Sequence, residues 1–307
     1  MTWSVLKGDA FDLLPREQAE TVDLIVTSPP YWGLRTYGLE HDESVLEEWA
    51  QIADDVSKPP PYAWYRERGG QLGLEPYPEW FVSHLVELFD LALPALRPSG
   101  SMWINLGDTY FARWSSLRND GRQGINGSTR RRRRTPSGDW RRDKQLLMVP
   151  ARFAIAMQDS GWILRNDLIW WKDTVAPRPE RDRLRLSHEH FFHFVKRTTV
   201  GRASYHYDLR GAEAGALDVI RGPSGQRIEA QTATFPMEVV RPRIRSSCPP
   251  NGLVLDPFCG SGTTLATALA EGLNARGYDV SQSSVELARR RARSAAAQAR
   301  RAKTAAA

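Results

Sequence analysis

Short apolar runs ending in turn or polar residues recur along the chain, as strands of a doubly wound sheet do. WSVLKGD (3–9) is the first and VDLIVTSPP (22–30) the second. Between residues 79 and 100, EWFVSHLVELFDLALPALRPSG repeats its apolar positions at three and four residues. It predicts a helix that stops in Pro98-Ser99-Gly100, ahead of a strand in SMWINLGD. WILRNDLIWWK (162–172) and HEHFFHFVKR (188–197) read as two later strands, with Trp170 and Trp171 as core and rim packing. GLVLDPFCGSG (252–262) and NARGYDV (274–280) close the set, separated by the compact helix TLATALAEG. Alternation of strands and helices predicts an α/β sheet. Three stretches fit it poorly: 40–70, with an acidic cluster and then Lys58-Pro59-Pro60-Pro61; 111–145, rich in Gly, Ser and Arg; and 199–232, polar and Gly-rich. These read as insertions or loops.

At 307 residues, 41% hydrophobic and 25% charged, the chain can bury a substantial core. It holds no apolar run of 18 residues, which excludes a transmembrane helix, and MTWSVLKGDAFDLL lacks the parts of a signal peptide. Two cysteines, Cys248 and Cys259, are too few for a disulfide scaffold or a cysteine-built zinc site, so a reducing, cytoplasmic setting is expected. The net charge of +6 is unevenly placed. Arg130–Lys144 holds eight basic and two acidic residues, and Arg289–Lys303 seven basic and none acidic, on an otherwise acidic body. Two basic patches suit a polyanion such as nucleic acid, although solvated segments have the same composition.

Candidate chemistry collects at two strand ends. After Leu253–Leu255 comes Asp256-Pro257-Phe258-Cys259-Gly260-Ser261-Gly262-Thr263-Thr264. Glycines at 260 and 262 let the backbone turn tightly and approach a ligand, and the next helix begins at Thr263 or Thr264 with free N–H groups. Asp279 ends the following strand, where a carboxylate can accept from both hydroxyls of a ribose. No lysine follows the glycines, so this is not a P-loop and ATP is not expected. Because this nucleoside-binding unit lies last in the chain, upstream strands must complete the sheet, and the fold reads as circularly permuted.

The second place is Thr27-Ser28-Pro29-Pro30-Tyr31-Trp32. Consecutive prolines cannot continue a central strand, but they hold a rigid loop at its C-terminal end. Such a loop offers the Ser28 hydroxyl and the Pro29 carbonyl as fixed acceptors, with an aromatic face just beyond. Two acceptors and a stacking face are what an exocyclic amino group on a planar base requires.

TSPPYWGLRTYG resembles the catalytic motif of DNA amino-methyltransferases, and DPFCGSGTT resembles their S-adenosylmethionine loop. Catalytic motif first and cofactor loop last is the order of that family's beta group. The resemblance spans nearly the whole chain: LKGDAFDLL, GLEPYPEWFVSHLVELF, GSMWINLGDTY, GWILRNDLIWWK and ATFPMEVVRPRI each resemble a family segment. It implies a Rossmann-like, S-adenosylmethionine-dependent methyltransferase fold, a circularly permuted doubly wound sheet with inserted DNA-recognition segments. The division it implies is 1–110 for the catalytic half of the sheet, 111–145 for a basic insert, and 146–232 for remaining strands and target-recognition loops. Residues 233–286 then form the cofactor-binding half, and 287–307 a basic Ala/Arg tail.

Carried onto this sequence, the resemblance implies catalytic Ser28, Pro29, Pro30 and Tyr31, with S-adenosylmethionine bound by Asp9, Phe235, Asp256, Phe258, Gly260, Gly262, Thr263 and Asp279. Serine before Pro-Pro-Tyr is typical of enzymes acting on cytosine N4, where Asp or Asn is typical of adenine N6. The implied substrate is a cytosine flipped out of double-stranded DNA. Arg130, Arg131, Arg132, Arg133, Arg134, Arg141, Arg142 and Lys144 are the candidates for phosphate and base-edge contacts. A cognate restriction endonuclease and a homodimer are compatible with the resemblance. An adenine-N6 enzyme, an RNA or protein amide methyltransferase, and a non-catalytic DNA-binding protein are the competing readings. Cys259 reads as a small packed thiol rather than a C5-type nucleophile. His188 and His190 fall on one strand face and His193 on the other, so no metal is expected.

Overall fold

The computed structural model describes residues 1–33, 44–111, 114–118, 130–134, 138, 140–175, 181–197, 202–212, 217–224, 226–228 and 231–306. In chain order the elements are β1 (Trp3–Lys7), α1 (Ala10–Leu13), β2 (Val22–Thr27), α2 (Val45–Trp49), α3 (Tyr62–Glu67), α4 (Pro78–Leu91) and β3 (Leu96–Leu106). There follow β4 (Trp114–Arg118), β5 (Arg130–Arg134), α5 (Val149–Asp159), β6 (Ile163–Lys172), β7 (His188–Val195), β8 (Val219–Gly222), β9 (Gln226–Ile228) and β10 (Gln231–Thr234). The chain closes with α6 (Met237–Ser247), β11 (Leu253–Asp256), α7 (Thr263–Ala270), β12 (Asn274–Asp279) and α8 (Gln282–Ala306). By their contacts the described residues divide into two units.

The first unit comprises 1–29, 91–106 and 161–307. Its eight-stranded sheet runs β1-β12-β11-β2-β3-β7-β6-β8. The last two strands of the chain thus sit between the first two. Pairing is parallel from β1 to β3 and again between β6 and β8, and antiparallel where β7 meets β3 and β6. All six residues of β2 are buried, which explains why VDLIVT shows no alternation: a central parallel strand is covered on both faces. Helices α6, α7 and α8 pack against one another and against β1, β2, β3, β8, β11 and β12. Val240, Ile244, Leu265, Leu269, Val285 and Ala292 join Leu24, Val26 and Val254 in the core beneath them. Trp170 is buried and Trp171 half exposed, as a core and a rim position.

The second unit comprises 30–90 and 107–160. It contains α2, α3, α4, α5 and the antiparallel pair β4–β5. Its core gathers Tyr65, Trp80, Phe81, Leu85, Phe89 and Phe153, all without solvent exposure.

One element ends elsewhere than its pattern predicts. Helix α4 stops at Leu91, before Pro94, and Pro98-Ser99-Gly100 already lies inside β3. Proline at 94 cannot be accommodated in a helix interior, so the helix ends nearly two turns before the Pro-Ser-Gly sequence. Among the described residues no helix is long and apolar enough to cross a membrane.

Candidate active site

Neighbouring strand ends of the first unit carry the cofactor-loop candidates. β11 and β2 are adjacent, with Val254 opposite Leu24 and Leu255 opposite Ile25. That register brings Asp256 to Thr27, whose hydroxyl donates to Asp256 Oδ1 at 2.6 Å, in a buried contact between residues 229 apart in sequence. The Phe258 N–H donates to the same oxygen at 3.1 Å. The last residue before Ser28 is therefore bonded to the first residue of the glycine loop. Thr27 and Asp256, far apart in sequence, are joined at this point within the first unit.

The turn itself needs its glycines. Gly260 and Gly262 have φ of +47° and +79°, in the left-handed region, and the Gly262 N–H closes onto the Cys259 carbonyl at 2.7 Å. A Cβ at 262 would lie 2.9 Å from both Cα and Cβ of Ala288, so α8 lies directly against the loop. Asp279 holds the other side: Oδ2 accepts the Gly260 N–H at 3.0 Å and Oδ1 the Ser281 N–H at 2.8 Å. Burial raises its carboxyl above the usual range. At the end of β1, the Gly8 N–H donates to the Asp279 carbonyl at 3.1 Å. The next residue, Asp9, caps α1 by accepting the Phe11 N–H at 3.0 Å. Asp9, Asp256, Gly260 and Asp279 thus stand at the ends of three adjacent strands.

These residues fit a nucleoside with a cationic tail. Each Asp279 oxygen receives one backbone N–H, and a carboxylate has acceptor capacity beyond that for two neighbouring hydroxyls. Left-handed Gly260 and Gly262 make the tight turn, and the bare Gly262 lets α8 lie against the loop. Asp256, fully buried, supplies an acid that a cationic ligand can compensate. Phe235 lies in the core with its ring 5.9 Å from Phe191, immediately before α6, and Thr263 is buried as the first residue of α7.

Burial pushes the Asp256 carboxyl up to about 6, against hydrogen bonds from Thr27, Thr264 and Phe258 that favour the charged form. The folded chain keeps this proton to about pH 6 while the unfolded chain releases it near 3.8. Its contribution to stability is therefore fully present below 3.8 and declines as pH rises through that window, by about 1.4 kcal/mol per pH unit. A bound cation reverses the preference by favouring the ionised acid. S-adenosylmethionine affinity is thus expected to fall as pH drops through 6, with a slope approaching about tenfold per unit. Titration calorimetry between pH 5 and 7 on the parent and Asp256→Asn checks this: the variant should bind more weakly and without that slope.

Arg291 is a member of this site that the sequence did not single out. Its Nη1 donates to the carbonyl and hydroxyl of Ser261, both at 2.8 Å, and to Thr263 Oγ1 at 3.1 Å. Half-burial lowers its pKa. The signal for it is the four-residue spacing of Ala288, Ala292 and Ala296. All three are buried, so the Ala/Arg segment begins as a packed helix rather than a free tail.

The catalytic candidates straddle the two units, which divide between Pro29 and Pro30. Pro29 is buried, and Ser28, Pro30 and Tyr31 are partly buried. In the second unit Trp32 is buried and its indole N–H donates to the Glu75 carbonyl at 2.9 Å.

The basic candidates separate. Arg130–Arg134 form β5, paired with β4, and their side chains lie outside the described residues. Arg142 and Lys144 are exposed. Arg141 departs from the phosphate-binding expectation: it is buried, its Nη1 is 2.6 Å from Glu79 Oε1, and its guanidinium sits 4.6 Å from the Tyr77 ring centroid. Its charge is used inside the second unit, and sequence spacing in a basic run carries no sign of that.

His188 and His190 are edge to face at 5.3 Å, whereas His193 stacks on Trp103 at 4.3 Å. Burial, with Arg165 and Arg243 nearby, holds the His193 imidazole down to about 3, so it is neutral. No metal-binding group of three or more His, Cys, Asp or Glu occurs among the described residues. Burial beside Asp256 and Asp279 raises the Cys259 thiol well above its ordinary range, which keeps it protonated and un-nucleophilic.

Residues 22–290 match a protein family described as DNA methylase, covering both N6 and N4 enzymes. The chain is 32% identical over 293 residues to the Type II methyltransferase M.XycI of Xanthomonas campestris pv. cyanopsidis, covering 93% of this chain and 86% of that one. Among solved structures it is similar to the PvuII DNA methyltransferase (cytosine-N4-specific), with a TM-score of 0.66 at 18% identity over 95% of this chain and 86% of that one. It is also similar to a putative DNA modification methylase from Thermus thermophilus complexed with S-adenosyl-L-methionine. There the TM-score is 0.58 at 21% identity, over 96% of both chains. These two likenesses are likenesses of fold.

Proposed function

The chain belongs to the DNA methylase family, and we propose that it methylates the N4 amino group of a cytosine flipped out of double-stranded DNA. The observation that supports this reading is the Thr27–Asp256 hydrogen bond, which ties the residue before Ser28 to the first residue of the glycine loop. Serine at 28, with the fold similarity to a cytosine-N4-specific enzyme, supports cytosine over adenine.

S-adenosylmethionine would be held by Asp9, Asp256, Phe258, Gly260, Gly262, Thr263 and Asp279 with Phe235 nearby, and would supply a methyl group already activated on a cationic sulfur. The chain's own work is placement. Ser28 Oγ and the Pro29 carbonyl accept the two N4 hydrogens, which draws the nitrogen lone pair out of ring conjugation and aims it at the methyl carbon. Tyr31 stacks on the extruded ring, a contact worth about 1–3 kcal/mol per base. Holding the nitrogen before the methyl group would replace an improbable encounter by a prepared one. As the N–C bond forms the C–S bond would break to leave the thioether, and the extra amine proton would pass to Ser28 Oγ or water. Arg142, Lys144 and the arginines of β5 serve the phosphates, giving an affinity that falls with salt. The similarity to Type II methyltransferases supports a sequence-specific duplex as substrate and a cognate endonuclease as partner.

The test is transfer of label from S-adenosylmethionine to duplex DNA, followed by nucleoside mass spectrometry. N4-methylcytosine is the expected product. N6-methyladenine would retain the family and the mechanism but overturn the inference from Ser28. Label in RNA alone, or cofactor binding without transfer, would overturn the substrate.

A further inference from the structure

The residues that follow Tyr31 are fastened within the second unit. Within the second unit, the Trp32 indole donates to the Glu75 carbonyl and the Gly33 N–H donates to the Gly73 carbonyl at 2.7 Å. Residues 73–75 are bent back on themselves by the Glu75 side chain, whose Oε2 accepts the Gly73 N–H at 2.8 Å. The other oxygen, Oε1, is 3.0 Å from Nδ1 of His84 on α4. His84 Nε2 lies 2.9 Å from the Pro60 carbonyl, and both side chains are without solvent exposure. Gly73 has φ of +89°, and a Cβ there would meet Pro30 Cβ at 3.1 Å and the Tyr31 carbonyl oxygen at 3.3 Å.

The proton inventory makes this a rigid device. A carbonyl only accepts, so His84 Nε2 carries hydrogen; one further proton then lies between His84 Nδ1 and Glu75 Oε1. Every polar atom of the Glu75 carboxyl is engaged in a dry setting, where such bonds have long lifetimes and strict directions. Buried ionisable pairs add little net stability compared with apolar packing, so an apolar pair would serve the core as well. This one adjoins the segment on which the loop rests.

We propose that Glu75 is a positioning residue. Locked by His84, it shapes the 73–75 bend onto which Trp32 and Gly33 are hydrogen-bonded, and so fixes where Tyr31 meets the target base. The inference rests on the reading of Ser28-Pro29-Pro30-Tyr31 as the catalytic loop.

Its test uses the full chain with Glu75→Ala, Glu75→Gln and Gly73→Ala. Cofactor stoichiometry gives the folded fraction, and the rate and KM for methylation of duplex DNA give the function. Glu75→Ala is expected to lower kcat about 100-fold, the effect of misplacing a reacting group by roughly an ångström, with KM for DNA and cofactor affinity little changed. Glu75→Gln should remain near the parent. Its amide oxygen can take the Gly73 N–H while its NH₂ donates to neutral His84 Nδ1, and Nε2–H still faces Pro60. Gly73→Ala leaves the Glu75–His84 pair in place but presses on Pro30 and Tyr31, so it should also lower kcat; if Glu75→Ala does not fold, it decides alone. Parental kcat in a folded Glu75→Ala or Gly73→Ala would overturn the proposal. So would a loss confined to KM, or a Gln variant as poor as Ala. A parent that methylates no DNA would overturn the underlying reading, and this one with it.

Discussion

Asp279→Ala is expected to weaken S-adenosylmethionine binding by at least about 100-fold, because in the proposed site the carboxylate would receive the ligand hydroxyls as well as build the loop beside them. Its two oxygens accept the N–H groups of Gly260 and Ser281. Removing them leaves two donors to find water or go unpaired, at about 1–3 kcal/mol each. Gly260, already in the left-handed region, then loses the contact that holds it to the end of β12. Asp279→Asn keeps one acceptor and should fall between parent and Ala. Calorimetric titration with S-adenosylmethionine reads the effect directly. Circular dichroism should show an intact sheet, since β12 is still paired on both sides by β1 and β11. Parental affinity in the Ala variant would remove Asp279 from the site.

Why these residues were legible in the sequence, and others were not, follows from the range of the interactions involved. The strands announced themselves because central parallel strands are continuous apolar runs, and the glycine loop because its left-handed turn admits no side chain. Asp279 followed from strand-end logic alone. Thr27 did not: its hydroxyl matters through Asp256, 229 residues away, and no local pattern encodes that partner. Arg291 is obscured by its neighbours, since arginines turned inward, such as Arg291 and Arg289, share the composition of a solvated tail with those turned outward. Arg141 was misassigned for the converse reason, its pairing with Glu79 across 62 residues being invisible in a basic run. The 40–70 stretch read as a loop because α2 and α3 are only five and six residues long. Their aromatic residues pack around α4 without a periodic stripe of their own.

The loop variants separate positioning from binding. Ser28→Ala should lower the methyl-transfer rate on the order of 100-fold, comparable to losing one preorganised polar contact to a developing charge, with cofactor affinity intact. It removes one of two acceptors for the amino hydrogens, leaves the backbone path through Pro29 and Pro30, and spares the Thr27–Asp256 bond. Tyr31→Ala removes the stacking face, so its loss should appear first in stabilising the flipped base, by about 1–3 kcal/mol. Tyr31→Phe, which keeps the face, should stay close to the parent. Single-turnover rates on a duplex containing the site mapped by sequencing methylated plasmid DNA, at saturating cofactor, distinguish the three. In the proposed mechanism Ser28 and Tyr31 act on the same base, so the double Ala variant should lose less than the product of the single losses. A base that is not held cannot benefit from an acceptor aimed at it. Fully multiplicative losses would instead mean that the hydroxyl and the ring act on separate steps, and that the loop is not a single clamp.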